Sequence, residues 1–352
     1  MNKTIVLTGG GTAGHVMVNI NLSPYLKMNF NKIVYIGSKN GIEKNLITNQ
    51  TNYEFKEIST VKLDRAKKLS NLLIPFKLLK SIYQAKKILK QIKPDIIFSK
   101  GGYVGLPVVI AGKKLKIPVV VHESDMSLGL ANKLAKHYAN VICTAFKKTA
   151  DENKCIHTGI PLKISSLTKS EATQKLNIHT NKKILLILGG SMGAKSINDF
   201  IFKNINALTK KYYVIHIVGK NNINKNIKNS NYKQIEFSND LWSIYKATDI
   251  AISRAGANTI YELFANQIPT IFIPLPKNVS RGDQIENSLY FKNKHLCRVI
   301  FQENLNIKNL QNELEYIENE YNNLKNNLKL ANFGDGTQNL IKILNQEKNT
   351  HN

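Results

Sequence analysis

The stretches KTIVLTGGGTAGH at residues 3–15 and KILLILGGSMGAKS at residues 183–196 decide the fold of this 352-residue chain. Each begins with a short apolar run, breaks at a glycine pair, and reaches a further glycine before a helix-like segment. A strand that ends in a glycine loop at the start of a helix is typical of a parallel α/β domain. Because this opening occurs once in each half, the chain is predicted to contain two such domains.

Short apolar strands alternate with longer helix-like stretches through both halves, which predicts parallel sheets covered on both faces. The predicted strands are residues 3–8, 32–36, 95–99, 117–121, 140–144, 183–188, 212–218, 249–253 and 269–273. The predicted fold class is therefore α/β, with two Rossmann-like, doubly wound domains. We place the N-terminal domain at residues 1–160, the C-terminal domain at 161–341 and a polar tail at 342–352, with a hinge near Pro161.

The balance of charge indicates an anionic partner without identifying it. Lysine and arginine total 50 against 24 acidic residues, which gives a formal net charge of +26. Such an excess attracts nucleic acid, anionic lipid or a phosphorylated substrate. Lysine, asparagine and isoleucine are abundant throughout the chain, so a general compositional bias explains the charge equally well.

No segment of the sequence has the character of a membrane anchor. No apolar run approaches the roughly 18 residues of a membrane-spanning helix. The N-terminal apolar stretch is too short for a secretory signal, so we expect the chain to stay in the cytoplasm.

One basic and apolar segment, residues 66–93, stands apart from the rest of the first half. Leu72, Leu73, Phe76 and Leu79 recur there at helical spacing, and lysines flank them. One interpretation is a surface helix whose apolar stripe packs on the core. The alternative is a surface that binds an anionic membrane, because there are more apolar positions than one core face needs.

The first glycine loop fits a dinucleotide site only in part. Gly9, Gly11 and Gly14 satisfy the spacing G-x-G-x-x-G. A nicotinamide site also needs an acidic residue about 20 residues further on for the ribose, and none appears before Glu43. The loop can still offer backbone N–H groups and a helix dipole to a phosphate or to another developing negative charge. His15 follows this loop directly and is a candidate for the chemistry.

Two loops in the second half have a similar character. Ser191 adds a hydroxyl suited to a pyrophosphate, although a plain tight turn is the alternative, and the ending of a nucleotide-hydrolysing P-loop is missing. The stretch SRAGANTIYEL at residues 253–263 has small residues at its turn and Glu262 one helical turn later. Glu262 either completes a capping box with Thr259 or accepts hydrogen bonds from both hydroxyls of a ribose.

Six motifs occur in an order that resembles the MurG family of peptidoglycan N-acetylglucosaminyltransferases. They are GGTAGH (10–15), KGGYVGLP (100–107), VHESDMSLGLANK (121–133), LGGSMGAKSIN (188–198), SRAGANTIYEL (253–263) and DQIEN (283–287). The resemblance covers almost the whole chain, and the motifs are specific in combination.

The resemblance implies the GT-B fold, in which two Rossmann-like domains face each other across a cleft and a C-terminal helix returns to the first domain. It also implies transfer of N-acetylglucosamine from UDP-N-acetylglucosamine to the C4 hydroxyl of the muramyl sugar of lipid I. The product is lipid II, with inversion at the anomeric carbon. Such enzymes work at the cytoplasmic face of the cell membrane as peripheral proteins, which suits the basic segment described above.

The resemblance assigns donor contacts by position. Glu262 matches the residue on the ribose, Ser191 the serine on the diphosphate and Gln284 the glutamine that reads the sugar hydroxyls. The full set of implied donor-binding residues is Thr12, Ala13, Gly14, Asp125, Lys163, Ser191, Ser238, Ala257, Asn258, Thr259, Ile260, Tyr261, Glu262 and Gln284. Tyr103, His122 and Asn132 lie in motifs expected to line the acceptor side.

The reaction needs a base for the acceptor hydroxyl and stabilisation of the departing UDP. His15 is the candidate base, because imidazole titrates near working pH. Glu123 is the rival, and His15 could instead only orient the acceptor. The resemblance implies no metal ion and no other cofactor, and no D-x-D motif occurs in the sequence. Helix N-termini and backbone amides would then carry the charge of the departing UDP.

Three of these positions depart from the family pattern. Asp125 stands where an asparagine is usual, so an anion replaces an amide. Lys163 replaces an arginine, which keeps the charge but loses the planar fork. Ser238 replaces an isoleucine near the uracil. These departures affect individual donor contacts more than the reaction.

Two other functions compete with this one. A related GT-B glycosyltransferase would use another lipid or small-molecule acceptor. A nucleic-acid-binding protein would explain the net charge, but it gives no reason for two glycine loops and Glu262, so we expect no nucleic-acid partner.

Overall fold

The chain folds into two units, each built on one parallel sheet. The first unit comprises Met1–Leu162 and Asp335–Asn352, and the second comprises Lys163–Gly334. The computed structural model describes residues 3–60, 74–151, 153–190 and 193–349. The predicted site residues Leu72, Leu73 and Ser191 lie outside these ranges.

The first unit alternates strands and helices along the chain. Its strands are β1 (Thr4–Thr8), β2 (Lys32–Ser38), β3 (Glu54–Ile58), β4 (Ile96–Ser99), β5 (Val119–Glu123), β6 (Val141–Thr144) and β7 (Cys155–His157). Its helices are α1 (Ala13–Asn21), α2 (Ser23–Asn29), α3 (Ile42–Gln50), α4 (Ile74–Ile92), α5 (Gly102–Lys114), α6 (Leu130–Ala135) and, from the end of the chain, α14 (Thr337–Asn349). A 3₁₀ helix at Lys147–Asp151 precedes β7.

The second unit repeats the scheme. Its strands are β8 (Lys183–Leu188), β9 (Tyr212–Ile217), β10 (Tyr232–Ile235), β11 (Ile250–Ser253), β12 (Thr270–Phe272) and β13 (Arg298–Val299). Its helices are α7 (Lys169–Lys175), α8 (Lys195–Thr209), α9 (Leu241–Ala247), α10 (Ala257–Ala265), α11 (Asp283–Lys292), α12 (Ile307–Asn319) and α13 (Tyr321–Ala331), with a 3₁₀ helix at Gln302–Asn304.

Both sheets have the strand order of a doubly wound domain. The order is β3-β2-β1-β4-β5-β6-β7 in the first sheet and β10-β9-β8-β11-β12-β13 in the second, and all pairs are parallel. The central strands are buried on both faces. Val6, Ile97 and Leu186, for example, are fully buried. The predicted α/β fold class is therefore confirmed. A continuous apolar run can be recognised as a buried strand from its own sequence, without knowledge of the neighbouring strands.

The strand order fixes where each unit can bind a ligand. In such sheets the binding crevice lies outside the carboxyl ends of the strands where the order reverses. That position falls between β1 and β4 in the first unit and between β8 and β11 in the second. The loops that follow these four strands are the glycine and small-residue loops singled out in the sequence.

The C-terminal boundary differs from the prediction. Residues 335–341 were assigned to the second domain and 342–352 to a polar tail, but Asp335–Asn352 belong to the first unit. The tail assignment was wrong because α14 is a helix up to Asn349 with an apolar face. Leu340 and Leu344 on that face are fully buried, and α14 packs against α2, β4 and β5.

Candidate active site

In the first unit, the loop after β1 fixes the tautomer of the His15 ring. Thr12 caps α1, and its Oγ1 accepts a hydrogen bond from the backbone N–H of His15 at 3.4 Å. The Nδ1 atom of His15 lies 2.8 Å from the carbonyl oxygen of Gly10. A carbonyl only accepts, so Nδ1 carries the proton and Nε2 keeps its lone pair. Nε2 is therefore the basic atom of this side chain.

The surroundings keep the His15 ring neutral. Burial lowers the pKa of His15, and the nearby ammonium of Lys100 lowers it further. The hydrogen bond to Gly10 and the carboxylates of Glu123 and Asp125 act in the opposite direction, but they are smaller effects. A neutral imidazole with a free Nε2 is the form that can take a proton from a hydroxyl.

A buried carboxylate that the sequence analysis did not assign lies behind the same loop. Glu43 accepts hydrogen bonds from the backbone N–H of Ser38 at 3.0 Å and of Gly11 at 3.4 Å, and from the Ser38 hydroxyl. A Cβ atom on Gly10 would lie 2.6 Å from the Glu43 carboxyl carbon, so a larger residue there would displace this carboxylate. A carboxylate that already accepts a hydrogen bond from a loop N–H group competes with a phosphate for that group and repels its negative charge. This loop suits His15 chemistry better than diphosphate binding.

Tyr103, in the first turn of α5, lies against the glycine loop that precedes His15. The half-buried Tyr103 ring approaches Gly11 so closely that a Cβ there would lie 2.6 Å from Cε1. Gly102 lies against the imidazole, because a Cβ on it would be 3.2 Å from His15 Nδ1. The chain after β4 thus places the Tyr103 ring against the glycine loop and Gly102 against the His15 ring. Ala13 and Gly14, in the first turn of α1, are half-buried beside them.

The motif after β5 is an internal scaffold. The Glu123 carboxylate accepts hydrogen bonds from the backbone N–H of Asp125 at 3.1 Å and of Gly129 at 2.9 Å, and from Asn132 Nδ2 at 2.9 Å. Both oxygens are therefore engaged, and the geometry favours His15 over Glu123 as the base.

The buried positions of His122 and Asn132 differ from the expectation that they line the acceptor side. His122 is 0% exposed, and its Nε2 donates to the carbonyl oxygen of Gly159 at 2.8 Å. Asn132 is 4% exposed, and its amide also donates to the carbonyl oxygen of His122 at 3.4 Å. With the side chains inside the fold, these residues support the loop rather than face an acceptor.

In the second unit, two glycines that follow β8 allow a ligand to approach the backbone closely. Gly190 and Gly193 have positive φ angles of 92° and 76°. The N–H of Gly193 donates to the carbonyl oxygen of Gly190 at 3.0 Å, and a Cβ on Gly193 would lie 2.1 Å from the carbonyl oxygen of Val218. The loop leads into the 15-residue helix α8. Such a helix start favours an anion, as the sequence predicted for this loop.

Glu262 does not form the capping box that was one of its two alternatives. Gly256 is the N-cap of α10 and no side chain caps it. The Glu262 carboxylate instead accepts a hydrogen bond from the Tyr245 hydroxyl at 2.8 Å. Burial raises the pKa of Glu262 to about 7, and the Tyr245 hydrogen bond opposes that rise. The carboxylate is held in place, and the residue as a whole is half-buried.

The other residues of the predicted donor stretch divide between core and surface. Ile260 and Tyr261 are buried, and the Tyr261 ring packs edge-on against Phe291 and Phe333. Their side chains therefore belong to the core, and only their backbone can meet a ligand. Ala257 is also buried, whereas Asn258 and Thr259 are half-buried at the start of α10.

The remaining donor positions are partly exposed and separate in the sequence. Gln284 accepts a hydrogen bond from the backbone N–H of Leu275 at 3.1 Å, and Ser238 Oγ accepts one from the N–H of Asp240 at 3.1 Å. Lys163 is exposed.

A buried arginine ties the loops of the second unit together. Arg254 is 6% exposed, and its Nη1 donates to the carbonyl oxygens of Ile273 and Pro274 at 2.9 and 3.2 Å. Its Nη2 donates to Ser196 Oγ at 2.7 Å and to Gln302 Oε1 at 2.6 Å. Burial lowers the pKa of Arg254 to about 10, so the guanidinium stays charged at neutral pH. No motif in the sequence pointed to Arg254, although an arginine that directly follows a central buried strand was a usable signal.

Among the described residues, no group of three or more histidine, cysteine or carboxylate side chains is arranged to hold a metal ion. Within the same ranges, no helix has the length and apolar character needed to cross a membrane.

Comparison with known proteins places the chain in a family. Residues 5–144 match the glycosyltransferase family 28 N-terminal domain, and residues 184–342 match the glycosyltransferase family 28 C-terminal domain. The chain is therefore a glycosyltransferase.

The curated relatives agree over nearly the whole length. A UDP-N-acetylglucosamine--N-acetylmuramyl-(pentapeptide) pyrophosphoryl-undecaprenol N-acetylglucosamine transferase of Clostridium botulinum (strain Kyoto / Type A2) is 44% identical over 97% of this chain and 98% of its own length. An enzyme of the same name from Clostridium perfringens (strain SM101 / Type A) is 43% identical over 99% of this chain and 98% of its own length.

A solved structure agrees on the fold. The crystal structure of MurG from Acinetobacter baumannii superposes with a TM-score of 0.78 at 23% identity, and covers 98% of this chain and 99% of its own. This likeness confirms the predicted GT-B fold class. Together with the curated relatives, it shows that the chain belongs to the MurG family within glycosyltransferase family 28.

Proposed function

We propose that the chain transfers N-acetylglucosamine from UDP-N-acetylglucosamine to the C4 hydroxyl of the muramyl sugar of lipid I, giving lipid II for peptidoglycan. The observation that carries the proposal is the 44% identity, over 97% of the chain, to a relative named for this transfer. Family membership supplies the reaction class, and the relatives' names supply the donor and acceptor. The surroundings of His15 in the first unit and those of Glu262 in the second, each taken by itself, also support the assignment.

His15 serves as the general base in this proposal. Nε2 takes the proton of the C4 hydroxyl while the C4 oxygen forms a bond to the anomeric carbon. The bond between that carbon and the diphosphate oxygen breaks, and UDP leaves with the electron pair. Attack from the face opposite to UDP inverts the anomeric centre. The proton on Nδ1 and the lowered pKa of His15 both favour this role.

The loops of the second unit hold the donor in this proposal. Glu262 accepts hydrogen bonds from the ribose hydroxyls, and the backbone near Ala257 meets the sugar. The start of α8 and the loop at Gly190–Gly193 stabilise the negative charge that develops on the departing UDP. The buried guanidinium of Arg254 adds a fixed positive charge near the start of α8, because it is bonded to Ser196.

A panel of donors and acceptors tests the assignment. Purified protein is given radiolabelled UDP-N-acetylglucosamine, UDP-glucose or UDP-N-acetylgalactosamine with a lipid I analogue, a simple glycolipid or an aromatic aglycone. We expect turnover only with UDP-N-acetylglucosamine and the lipid I analogue. Turnover with another acceptor but not with the lipid I analogue would favour a related glycosyltransferase. Salt-sensitive RNA or DNA binding without turnover on any pair would overturn the enzyme assignment.

We also propose that α4 meets the anionic surface of the membrane at its cytoplasmic face. Phe76, Leu79 and Tyr83 recur at helical spacing and are 70%, 61% and 70% exposed. Lys80 and Lys87 are exposed on the same face. Three large apolar side chains in water beside ammonium groups suit insertion between anionic headgroups. Lipid I is anchored in that surface, so the contact would bring the enzyme to its acceptor.

Sedimentation with vesicles tests this contact. The double variant Phe76→Ser, Leu79→Ser should bind phosphatidylglycerol vesicles about tenfold more weakly, because two apolar side chains no longer insert. Leu330→Ser, which removes a side chain that is 74% exposed on α13, is the matched control and should bind normally. Unchanged sedimentation of the double variant, or equal binding to neutral phosphatidylcholine vesicles, would refute the contact.

A further inference from the structure

A lysine is buried at the centre of the first unit's loops. Lys100 follows β4 directly and is 1% exposed. Its backbone N–H donates to the carbonyl oxygen of Thr8 at 2.9 Å, so the residue is fixed against the end of β1. Its Nζ donates to Ser124 Oγ at 2.7 Å. A buried ammonium is expensive unless opposite charge compensates it.

Two carboxylates supply that compensation. Glu123 and Asp125, on either side of Ser124, both favour the charged form of Lys100, while burial lowers its pKa to about 8. The same two carboxylates and Lys100 act on His15 with opposite signs. The charged groups that face His15 are therefore Lys100 from the loop after β4 and the pair Glu123 and Asp125 from the end of β5.

The arrangement bears on the unusual residue at position 125. The family resemblance leads us to expect a neutral amide there, whereas this chain has a carboxylate. A second carboxylate beside Glu123 would repel it and would draw a proton toward His15. Lys100 opposes both effects, because its ammonium donates a hydrogen bond to Ser124, the residue between Glu123 and Asp125.

We propose that Lys100 is a positioning residue: it is the counter-ion that allows an aspartate at position 125, and it holds the loop after β5 in register with His15. The inference rests on the proposed function only in that His15 is taken as the base. In this proposal the positive charge of Lys100 offsets the two carboxylates, so the imidazole of His15 stays neutral beside them. Glu123 forms the internal hydrogen bonds of the loop, and Lys100 fixes the loop to β1 and β4.

The test is the titration of His15, which needs no substrate. Its ring resonance is followed by NMR against pH and is assigned by its loss in His15→Gln. In Lys100→Met the two carboxylates act unopposed, so the midpoint should rise. In Asp125→Asn one carboxylate is removed, so the midpoint should fall. The double variant should return toward the wild-type midpoint. Lys113→Met, on the exposed side of α5, is the matched control and should leave it unchanged.

Stability and activity give independent readouts of the same pairing. Lys100→Met should lower the thermal midpoint of unfolding by about 5–10 °C, and adding Asp125→Asn should recover part of it. The acidic limb of the kcat profile should move to higher pH in Lys100→Met, in the same direction as the His15 midpoint. If Lys100→Met does not fold, Asp125→Asn alone decides by the direction of its midpoint.

Three results would overturn the proposal. The first is a His15 midpoint in Lys100→Met that stays or falls. The second is a midpoint in Asp125→Asn that stays or rises. The third is a double variant no closer to wild type than Lys100→Met. Inactivity of the wild-type protein on a lipid I analogue would refute the proposed function but would leave these titrations intact.

Discussion

The imidazole of His15 has one proton in a fixed place, and that single feature sets the pH dependence of the first unit's chemistry. Gly10 holds the proton on Nδ1, and Nε2 is left to accept another. The pKa of His15 lies below its ordinary value, so the basic form persists at more acidic pH than for a free histidine. We expect kcat to fall only when the pH drops through that lowered value, and not at the usual histidine midpoint.

Replacement of His15 by glutamine tests its role. We expect kcat to fall by about 100-fold or more, because no other side chain in the loop offers an unprotonated nitrogen in its place. The affinity for UDP-N-acetylglucosamine, measured by calorimetry, should stay unchanged. His137→Gln, at an exposed position on the same unit, is the matched control. Normal turnover of His15→Gln would require another base.

Glu262 gives donor binding its own pH dependence. The pKa of this carboxyl is about 7, so lowering the pH through 7 protonates it and removes acceptors for the ribose hydroxyls. We expect calorimetry to show weaker UDP-N-acetylglucosamine binding at pH 6 than at pH 8.

Variants at Glu262 and at its partner Tyr245 separate the effect of the carboxylate from that of its hydrogen bond. Glu262→Gln should weaken binding about tenfold to 100-fold at pH 8 and abolish the dependence. Tyr245→Phe removes a hydrogen bond that lowers the pKa, so the dependence should move to higher pH. Glu315→Gln, on the exposed face of α12, should change nothing. A pH-independent affinity in the wild-type protein would contradict this account.

Individual residues of the site differ in how well the sequence could reveal them. His15 and Glu262 follow loops with obvious glycine or small-residue patterns, so the sequence predicts both as site residues. Glu43 and Arg254 were missed because their partners come from other strands and helices, and no spacing rule connects them. His122 and Asn132 were assigned a surface role because a motif gives residue types but not which side of the backbone is buried.

At the scale of elements, the best-predicted strands are the central ones. β1, β2, β8 and β9 are continuous apolar runs, which few other structures can accommodate. The four edge strands were missed: β3 reads EFKEI and β10 reads YKQI, both half-polar, while β7 has three residues and β13 has two. An edge strand has a neighbouring strand on one side only and is less buried than a central strand. It therefore lacks the continuous apolar composition by which a strand is recognised.

Arg254 joins elements that the sequence keeps apart. Its hydrogen bonds connect the end of β12 with α8 and the 3₁₀ helix at Gln302. We expect Arg254→Met to lower the free energy of unfolding by about 2–4 kcal/mol, because it leaves buried acceptors without donors. Denaturant unfolding measures this, with Arg281→Met at an exposed position as control. Equal stability of the two variants would show that the acceptors find other partners.

On the scale of the whole molecule, the first unit is assembled from both ends of the chain. The backbone N–H of Leu162 donates to Asp335 at 2.9 Å, and that of Gly336 donates to the carbonyl oxygen of Ile160 at 3.0 Å. The composition of the last residues hid this closure, because lysine and asparagine surround the few apolar positions of α14. A domain boundary drawn along the sequence cannot show a segment that returns.

The buried face of α14 provides a test of that closure. Leu344→Ala should lower the free energy of unfolding by about 2–5 kcal/mol, since the side chain is fully buried. Leu330→Ala, at an exposed position on α13, is the control and should cost about 0.5 kcal/mol or less. A small loss in Leu344→Ala would mean that the last helix is not part of the first unit's core.

The most direct test of the proposed transfer is the identity of its product. Purified protein is incubated with UDP-N-acetylglucosamine and a soluble lipid I analogue, and UDP release is compared with disaccharide formed. We predict one UDP per disaccharide, a mass increase of one N-acetylhexosamine on the acceptor, and a β linkage to C4 by NMR. Release of UDP without disaccharide, an α linkage, or attachment at another hydroxyl would contradict the account.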